Sequence, residues 1–286
     1  MALMPFQDYC QISQNCFIRA DLIELFVAHR LDTLRGLMDF AQGERVALKR
    51  GRSVVRFALA NRVFYLKRNR LQFHEFFKGL ISFRISRYGA TREVGNIFTL
   101  NQHGIPTVPL CAFGVRRFLG LWEIESFVLT EALYDYEPLE TVVKQHWSAP
   151  LSITQIQEKR RMISQVASLA RTFHGAGLAH QDFYLGHFFY RHSEPLALID
   201  VQRVLQFDAL PLRYKIKDLA QLYYSASLTG VVSATDSARF LRAYLNKERF
   251  DKADRSFIHK ILAKKNQIDK HTIKLLQRRR KRGEIQ

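Results

Sequence analysis

An α+β chain in two lobes, a small β-rich one followed by a larger helical one, is predicted by three observations. Short alternating apolar runs crowd the stretch from Val46 to Thr130. A helical apolar period takes over from about Ile153. The two patterns meet near Thr130 to Tyr136 with no repeat or low-complexity linker between them.

The elements follow in order. Asp21 to Val27, Leu31, Leu34 and Leu37-Met38 are spaced as an amphipathic helix ahead of the main body, a helical extension over residues 1–40. Val46 to Leu48, Val54 to Leu59 and Val63 to Lys67 read as strands, with Arg50-Gly51-Arg52-Ser53 and Asn61-Arg62 as hairpin turns. Thr91 to Gln102 reads as a helix ended by Gly104 and Pro106, although Gly95 within it costs about 1 kcal/mol. Val108 to Val115 and Ile124 to Thr130 read as strands, with Phe118 to Trp122 an apolar tip between them. Ile163, Val166, Ala170 and Phe173 place a helix that stops at Gly175-Ala176-Gly177. Helices are predicted over Asp218 to Leu228, Ser237 to Leu245 and Phe257 to Leu276.

Composition narrows the function classes. The 286 residues are 47% hydrophobic and 24% charged, an ordinary globular balance. No run of about 18 apolar residues and no charged-then-apolar leader occurs, so neither a membrane span nor a signal peptide is expected. Cys10, Cys16 and Cys111 lack metal-ligand spacing and fit a reducing cytoplasm. The net charge is +18, of which residues 257–286 supply +8, so the body itself is basic. Such a chain is drawn to polyanions: phosphorylated substrates, an anionic membrane surface or nucleic acid. No helix-turn-helix, zinc-finger or RNA-recognition signature accompanies the charge, and nucleic acid is not expected as a partner.

The chemistry concentrates near residue 180. His180-Gln181-Asp182 is followed, eighteen positions after Asp182, by Asp200 at the end of Leu198-Ile199. One carboxylate in a loop orients an acceptor hydroxyl, and another at a strand end holds Mg²⁺; this is the pairing an ATP-dependent phosphotransferase needs. Taken singly, Asp182 also fits a turn residue and Asp200 an ordinary strand end. Alternation puts Tyr65 and Lys67 on one face of their strand, where Lys67 can meet the α- and β-phosphates. Lys67 is equally explained as the start of a basic turn with Arg68 and Arg70. Glu93, on the following helix, can pair with Lys67 and fix its direction, or be an ordinary solvated glutamate. Gly51 is the one glycine of the nucleotide loop, and Glu131 falls at the lobe join, where backbone groups are expected to meet adenine. Asp218 is a candidate N-cap.

Together, Lys67, Glu93, His180-Gln181-Asp182, Asp200 and Asp218 resemble the protein-kinase-like superfamily. The local wording is closer to one branch, the lipopolysaccharide core heptose kinases of the Kdo/WaaP family. Asp182-Phe183-Tyr184-Leu185-Gly186-His187-Phe188 resembles its Asp-Cys-Tyr-Ile-Cys-His-Phe, Ile199-Asp200-Val201-Gln202-Arg203 its Ile-Asp-Leu-His-Arg, and Ile216 to Tyr223 its Ile-Lys-Asp-Leu-Ala-x-Leu-Tyr.

The resemblance implies a bilobal protein-kinase-like fold, with an N-lobe over 41–133, a C-lobe over 134–275 and a basic tail over 276–286. It implies ATP and Mg²⁺ as cofactors and a heptose hydroxyl of the lipopolysaccharide inner core as acceptor. It places the protein at the cytoplasmic face of the inner membrane, peripheral on an anionic surface. Asp182 and Lys67 become the catalytic candidates, Lys67, Glu93, Gly51 and Glu131 the nucleotide-binding ones, Asp200 and His187 the metal ones, and Asp218 a structural buttress of the catalytic loop. His187 stands where protein kinases carry Asn, and imidazole is a poor Mg²⁺ ligand. The alternatives are the same chemistry on a protein or small-molecule acceptor, or a pseudokinase that binds anionic lipid or a partner.

Overall fold

The computed structural model describes residues 8–49, 51–71, 89–120, 122–148 and 150–283. Arg50 of the predicted turn and Leu121 of the predicted tip lie outside them. The chain divides into two compact units, residues 1–134 with 201–203, and residues 135–200 with 204–286.

The first unit is built on a seven-stranded antiparallel sheet of order β1-β2-β6-β7-β5-β4-β3. Its strands are β1 (Tyr9–Ser13), β2 (Cys16–Arg19), β3 (Glu44–Lys49), β4 (Arg52–Leu59), β5 (Arg62–Arg70), β6 (Leu110–Phe118) and β7 (Trp122–Glu131). The helical extension expected over residues 1–40 takes a different form. Residues 9–19 are a hairpin turned at Asn15, whose φ of 64° suits asparagine, and β2 pairs with β6. The predicted single helix is two short ones, α1 (Ile23–Ala28) and α2 (Leu34–Asp39). Arg30 at φ 57° breaks the run and drops Leu31 into the core.

These helices cover one sheet face. Leu22, Phe26, Leu31, Leu37 and Met38 pack with Phe57, Phe64, Leu66, Phe127 and Leu129. The period of two along β5 thus buries Phe64 and Leu66 and leaves Tyr65 and Lys67 on the other face, half-buried. Cys16 and Cys111 are free thiols in this interior, and burial pushes each up to about 12, so neither is a nucleophile. Helix α3 (Ala90–Gln102) inserts Val94, Ile97 and Leu100 against the sheet unit and also carries Glu93.

The second unit is helical: α4 (Leu139–His146), α5 (Ile153–Gly175), α6 (Leu212–Leu228), α7 (Ala234–Leu245) and α8 (Lys252–Lys281). Helices α5, α7 and α8 start on capping boxes, Ser152 with Gln155, Ser233 with Asp236 and Asp251 with Asp254. Gly177, at φ 77°, ends α5; a Cβ there would strike the Phe207 carbonyl, whose residue's own amide bonds back to the Gly177 oxygen. Short strands β8 (Glu137–Pro138), β10 (Phe188–Tyr190) and β11 (Ala197–Leu198) form a small sheet, and β9 (Leu178–Ala179) pairs with β12 (Leu205–Gln206).

Helix α6 begins six residues before the predicted start, so Asp218 is no N-cap. It lies inside the helix and is fully buried. Helix α8 continues to Lys281, so the segment expected as a tail from 276 is largely helix. Between α4, α5, α6, α7 and α8 the unit holds an apolar cavity of about 420 Å³, lined by Val143, Met162, Val166, Leu222, Phe240 and Ile258 among others.

Candidate active site

In the first unit, Lys67 Nζ donates to Glu93 Oε1 at 2.6 Å. Glu93 is 4% exposed, so its carboxylate has been taken out of water and needs a cation. The pair holds the lysine at a fixed height on β5. Gly51 occupies the β3–β4 turn at φ 72°, and its carbonyl accepts from the Arg70 amide at 2.7 Å.

Glu131 closes β7. Its carboxylate receives two bonds from Arg62, at 2.8 and 2.6 Å, with Arg19 at 3.6 Å. The Arg62 bonds hold its pKa below the usual carboxylate range against the opposing effect of burial. Its amide donates to the Pro109 carbonyl at 2.9 Å. Side chain and amide of Glu131 are thus both committed within the unit.

The second unit holds the loop from His180 to His187, and its shape is imposed from below by one face of α6. Asp218 accepts from the amides of His180 (2.7 Å) and Gln181 (3.0 Å). Gln221, one turn on, accepts from the Phe183 amide (3.1 Å) and donates to the Gln181 carbonyl (2.8 Å). Ser225, a further turn on, accepts from the Leu185 amide at 2.8 Å. Residues at i, i+3 and i+7 share a helix face, so three buried polar side chains meet four loop amides and one carbonyl. The grip supports a left-handed Gln181 at φ 69°, a conformation that costs about 1–2 kcal/mol for a residue with a side chain. Asp182 follows immediately.

Asp200 is registered to this loop through its neighbour. The Ile199 amide donates to the His187 carbonyl at 3.0 Å, and His180 Nε2 lies 3.1 Å from the Ile199 carbonyl. That contact requires Nε2 to carry the proton. Full burial holds the His180 pKa below its usual 6.5, so the ring is neutral in the folded protein. Asp200 itself has φ 56°, a second strained residue beside the loop. His187 Nδ1 sits 2.6 Å from the Asp182 carbonyl and donates to it, which leaves Nε2 as the ring's acceptor. His174 is buried, with Nδ1 2.9 Å from the Tyr244 hydroxyl and Nε2 3.5 Å from Asp218.

The structure therefore brings Lys67 to Glu93 in one unit, and Asp182, His187 and Asp200 into one hydrogen-bonded assembly in the other. Gln221 and Ser225 were not singled out from the sequence. The signal was present: polar residues at three- and four-residue steps from Asp218, in a stretch otherwise rich in apolar residues such as Leu219, Ala220 and Leu222.

A Mg²⁺ ion takes oxygen donors and is commonly held by one or two carboxylates together with substrate phosphates. Asp200 suits that role. His187 suits it less, with one nitrogen already spent on the loop and the other a softer donor. Among the described residues no cluster of three or more His, Cys, Asp or Glu forms a metal cage, and none is required for a phosphate-borne ion.

Comparison with known proteins identifies the family. The profile of the lipopolysaccharide kinase (Kdo/WaaP) family matches residues 38–244. The lipopolysaccharide core heptose(I) kinase WaaP of Escherichia coli is 31% identical over 243 residues, 82% of this chain and 90% of that protein. The Pseudomonas aeruginosa protein of the same name is 31% identical over 214 residues, 72% of this chain and 78% of that protein. A solved structure of WaaP in complex with acyl carrier protein superposes with a TM-score of 0.68 at 25% identity, covering 92% of this chain and 99% of that one. The fold is accordingly the α+β protein-kinase-like one, with a sheet-built unit and a helical unit, and the chain belongs to the lipopolysaccharide kinase (Kdo/WaaP) family.

Proposed function

We propose that this kinase transfers the γ-phosphoryl group of ATP to a heptose hydroxyl in the lipopolysaccharide inner core. The observation that carries the proposal is the double tie of Ile199 to His180 and His187, which sets Asp200 in register with Asp182 on the α6 grip. The curated relatives named as heptose(I) kinases support the acceptor.

Asp182 accepts the proton of the attacking sugar hydroxyl and aligns it. The hydroxyl oxygen forms a bond to the γ-phosphorus, the bond to the β,γ-bridging oxygen breaks, and ADP leaves with that electron pair. Lys67, steered by Glu93, neutralises the α- and β-phosphates. The turn at Gly51 covers phosphate, and adenine is met by main-chain groups near Glu131, whose carboxylate is occupied by Arg62. Asp200 holds Mg²⁺, which when bound offsets charge on the phosphates; His187 keeps the Asp182 carbonyl in place and offers its Nε2 to water or metal.

The partners follow from the same reading. The acceptor is a membrane-borne phosphorylated glycolipid, so the chain works as a peripheral protein on the anionic cytoplasmic face of the inner membrane. No helix among the described residues is long and apolar enough to cross a membrane. A solved relative forms a complex with acyl carrier protein, and this chain's apolar cavity of about 420 Å³ suits an acyl chain, so we assign acyl carrier protein as a second partner.

The test is transfer from Mg-ATP to inner-core lipopolysaccharide lacking heptose phosphate, read by mass, with Asp182→Ala alongside. Gain of one HPO₃ by the core with the native protein and none with the variant supports the proposal. No gain from a folded, ATP-binding protein refutes the acceptor.

A further inference from the structure

His174 is buried and takes no part in the transfer chemistry. It stands one residue before the end of α5, between α7 and the helix that grips the catalytic loop. Two other rings clamp its own. Tyr244 of α7 meets it edge-on, with centroids 5.7 Å apart, and Phe183 of the loop lies at 5.6 Å. Tyr244 is itself stacked on Phe240, one turn earlier in α7. So held, the His174 ring turns Nδ1 to the Tyr244 hydroxyl at 2.9 Å and Nε2 to Asp218 Oδ2 at 3.5 Å.

The two nitrogens are not independent. If Nδ1 carried the proton it would donate to Tyr244, and a bare Nε2 lone pair would face a buried carboxylate. Two acceptors so placed repel strongly in a medium of low dielectric. In the other tautomer Tyr244 donates to Nδ1, and Nε2–H points at Asp218. Burial pushes the Tyr244 phenol above its usual range, with the Asp218 charge acting in the same direction, so the hydroxyl keeps the proton it donates. Electrostatics therefore selects the second tautomer. Among the described residues Nε2 has no hydrogen-bond partner, which leaves Asp218 as the group it serves.

Asp218 has a use for that N–H. A carboxylate offers about four acceptor sites. Fully buried, this one takes the amides of His180 and Gln181, one on each oxygen, and those amides lead directly into Asp182. A further donor at Oδ2 restrains rotation about the Cβ–Cγ bond, the motion that would loosen both amides together.

We propose that Tyr244 and His174 are positioning residues for the transfer. The Tyr244 hydroxyl keeps the His174 proton on Nε2, and that N–H holds the Asp218 carboxylate in the orientation that shapes the loop before Asp182. The inference rests on the reading of Asp182 as the group that aligns the acceptor hydroxyl.

Native protein is compared with Tyr244→Phe, His174→Gln and His174→Met. Gln reaches the Nε2 position and restores an N–H there; Met has the same length without it. Steady-state transfer to core acceptor, urea unfolding, exchange of the His180 and Gln181 amides, and nitrogen resonances of ¹⁵N-histidine-labelled protein are measured. The resonances missing from His174→Met assign the ring. Native protein should show a bare Nδ1 and a protonated Nε2. Tyr244→Phe should lower kcat about fivefold, the worth of one neutral hydrogen bond, with KM for ATP and acceptor unchanged. His174→Met should lose at least as much and exchange the two amides faster, even where it unfolds at higher urea than His174→Gln. His174→Gln should keep most of the native kcat and slow exchange. A packing role would instead make kcat follow stability. Equal kcat in the Met and Gln variants, native kcat in Tyr244→Phe, or a native ring protonated on Nδ1 each overturns the proposal. If native protein fails to phosphorylate the core, the heptose reading falls, and the ring resonances and amide exchange, which need no acceptor, still decide the proposal.

Discussion

Replacing Gln221 by Leu should separate the shape of the catalytic loop from its side chains. Gln221 is 4% exposed and holds the main chain on both sides of Asp182. Leu has similar bulk but leaves the Phe183 amide without its acceptor and the Gln181 carbonyl without its donor. An orphaned buried group costs about 1–3 kcal/mol, and the half-buried Gln181 end falls at the low side of that range. Added apolar burial by Leu returns about 1 kcal/mol, so a net loss of about 2 kcal/mol is expected.

If that energy is released by the loop slackening, Asp182 loses its alignment and kcat falls about 30-fold. Steady-state transfer to core acceptor and urea unfolding of the same preparations read the two effects. Gln221→Glu sharpens the test. Its carboxylate still accepts from Phe183, but sets an oxygen against the Gln181 carbonyl unless it is protonated. Its activity relative to native protein should therefore recover as pH is lowered, a response that a general packing defect would not give. Native kcat and native stability in Gln221→Leu would refute the assignment of Gln221 as a positioning residue.

Lys67→Met should destabilise the sheet unit by about 2–3 kcal/mol by leaving the buried Glu93 carboxylate unpaired, and the Lys67→Met, Glu93→Met double variant should regain most of it while remaining inactive; a double-mutant cycle in urea checks this. His180, neutral and buried, has a folded pKa below its usual 6.5. The unfolded chain therefore binds a proton that the folded one refuses, so stability is full above about pH 6.5 and declines below it by up to about 1.4 kcal/mol per pH unit. Comparing the pH dependence of unfolding in native protein and His180→Gln isolates that slope, which should shrink in the variant. Leu119 sits at the exposed tip of the β6–β7 hairpin with φ 50°. Leu119→Asn, better suited to that backbone, should stabilise the sheet unit by about 1 kcal/mol and raise Tm by about 2–4 °C, read by calorimetry.

The legible parts of the sequence were those where one local rule decides. Strand alternation separated Lys67 and Tyr65 from Phe64 and Leu66, and the eighteen-residue step from Asp182 to Asp200 picked out two residues whose neighbours are hydrogen-bonded together. The N-terminal hairpin was missed because Tyr9 to Arg19 is a mix of Cys, Gln, Ser and Asn whose pairing with β6 depends on residues a hundred positions away. The N-cap reading of Asp218 failed because an Asp before an apolar run looks like a helix start, whereas the buttress of the catalytic loop implied by the resemblance is the part it plays. The earlier turns, Leu212 to Lys217, begin at Pro211 with no side-chain cap. Gln221 and Ser225 escaped because a polar residue on a helix usually faces water; only the fold shows that these face a loop.

The α6 grip has a consequence for how such an enzyme can change over generations. Asp218, Gln221 and Ser225 grasp the amides of His180, Gln181, Phe183 and Leu185, groups that every amino acid but proline possesses. The loop's course is thus written largely into the helix beneath it. The partly buried side chains of the loop are free to drift toward a new acceptor without unmaking the geometry that presents Asp182, while a proline at any of those four positions would break the hold at once.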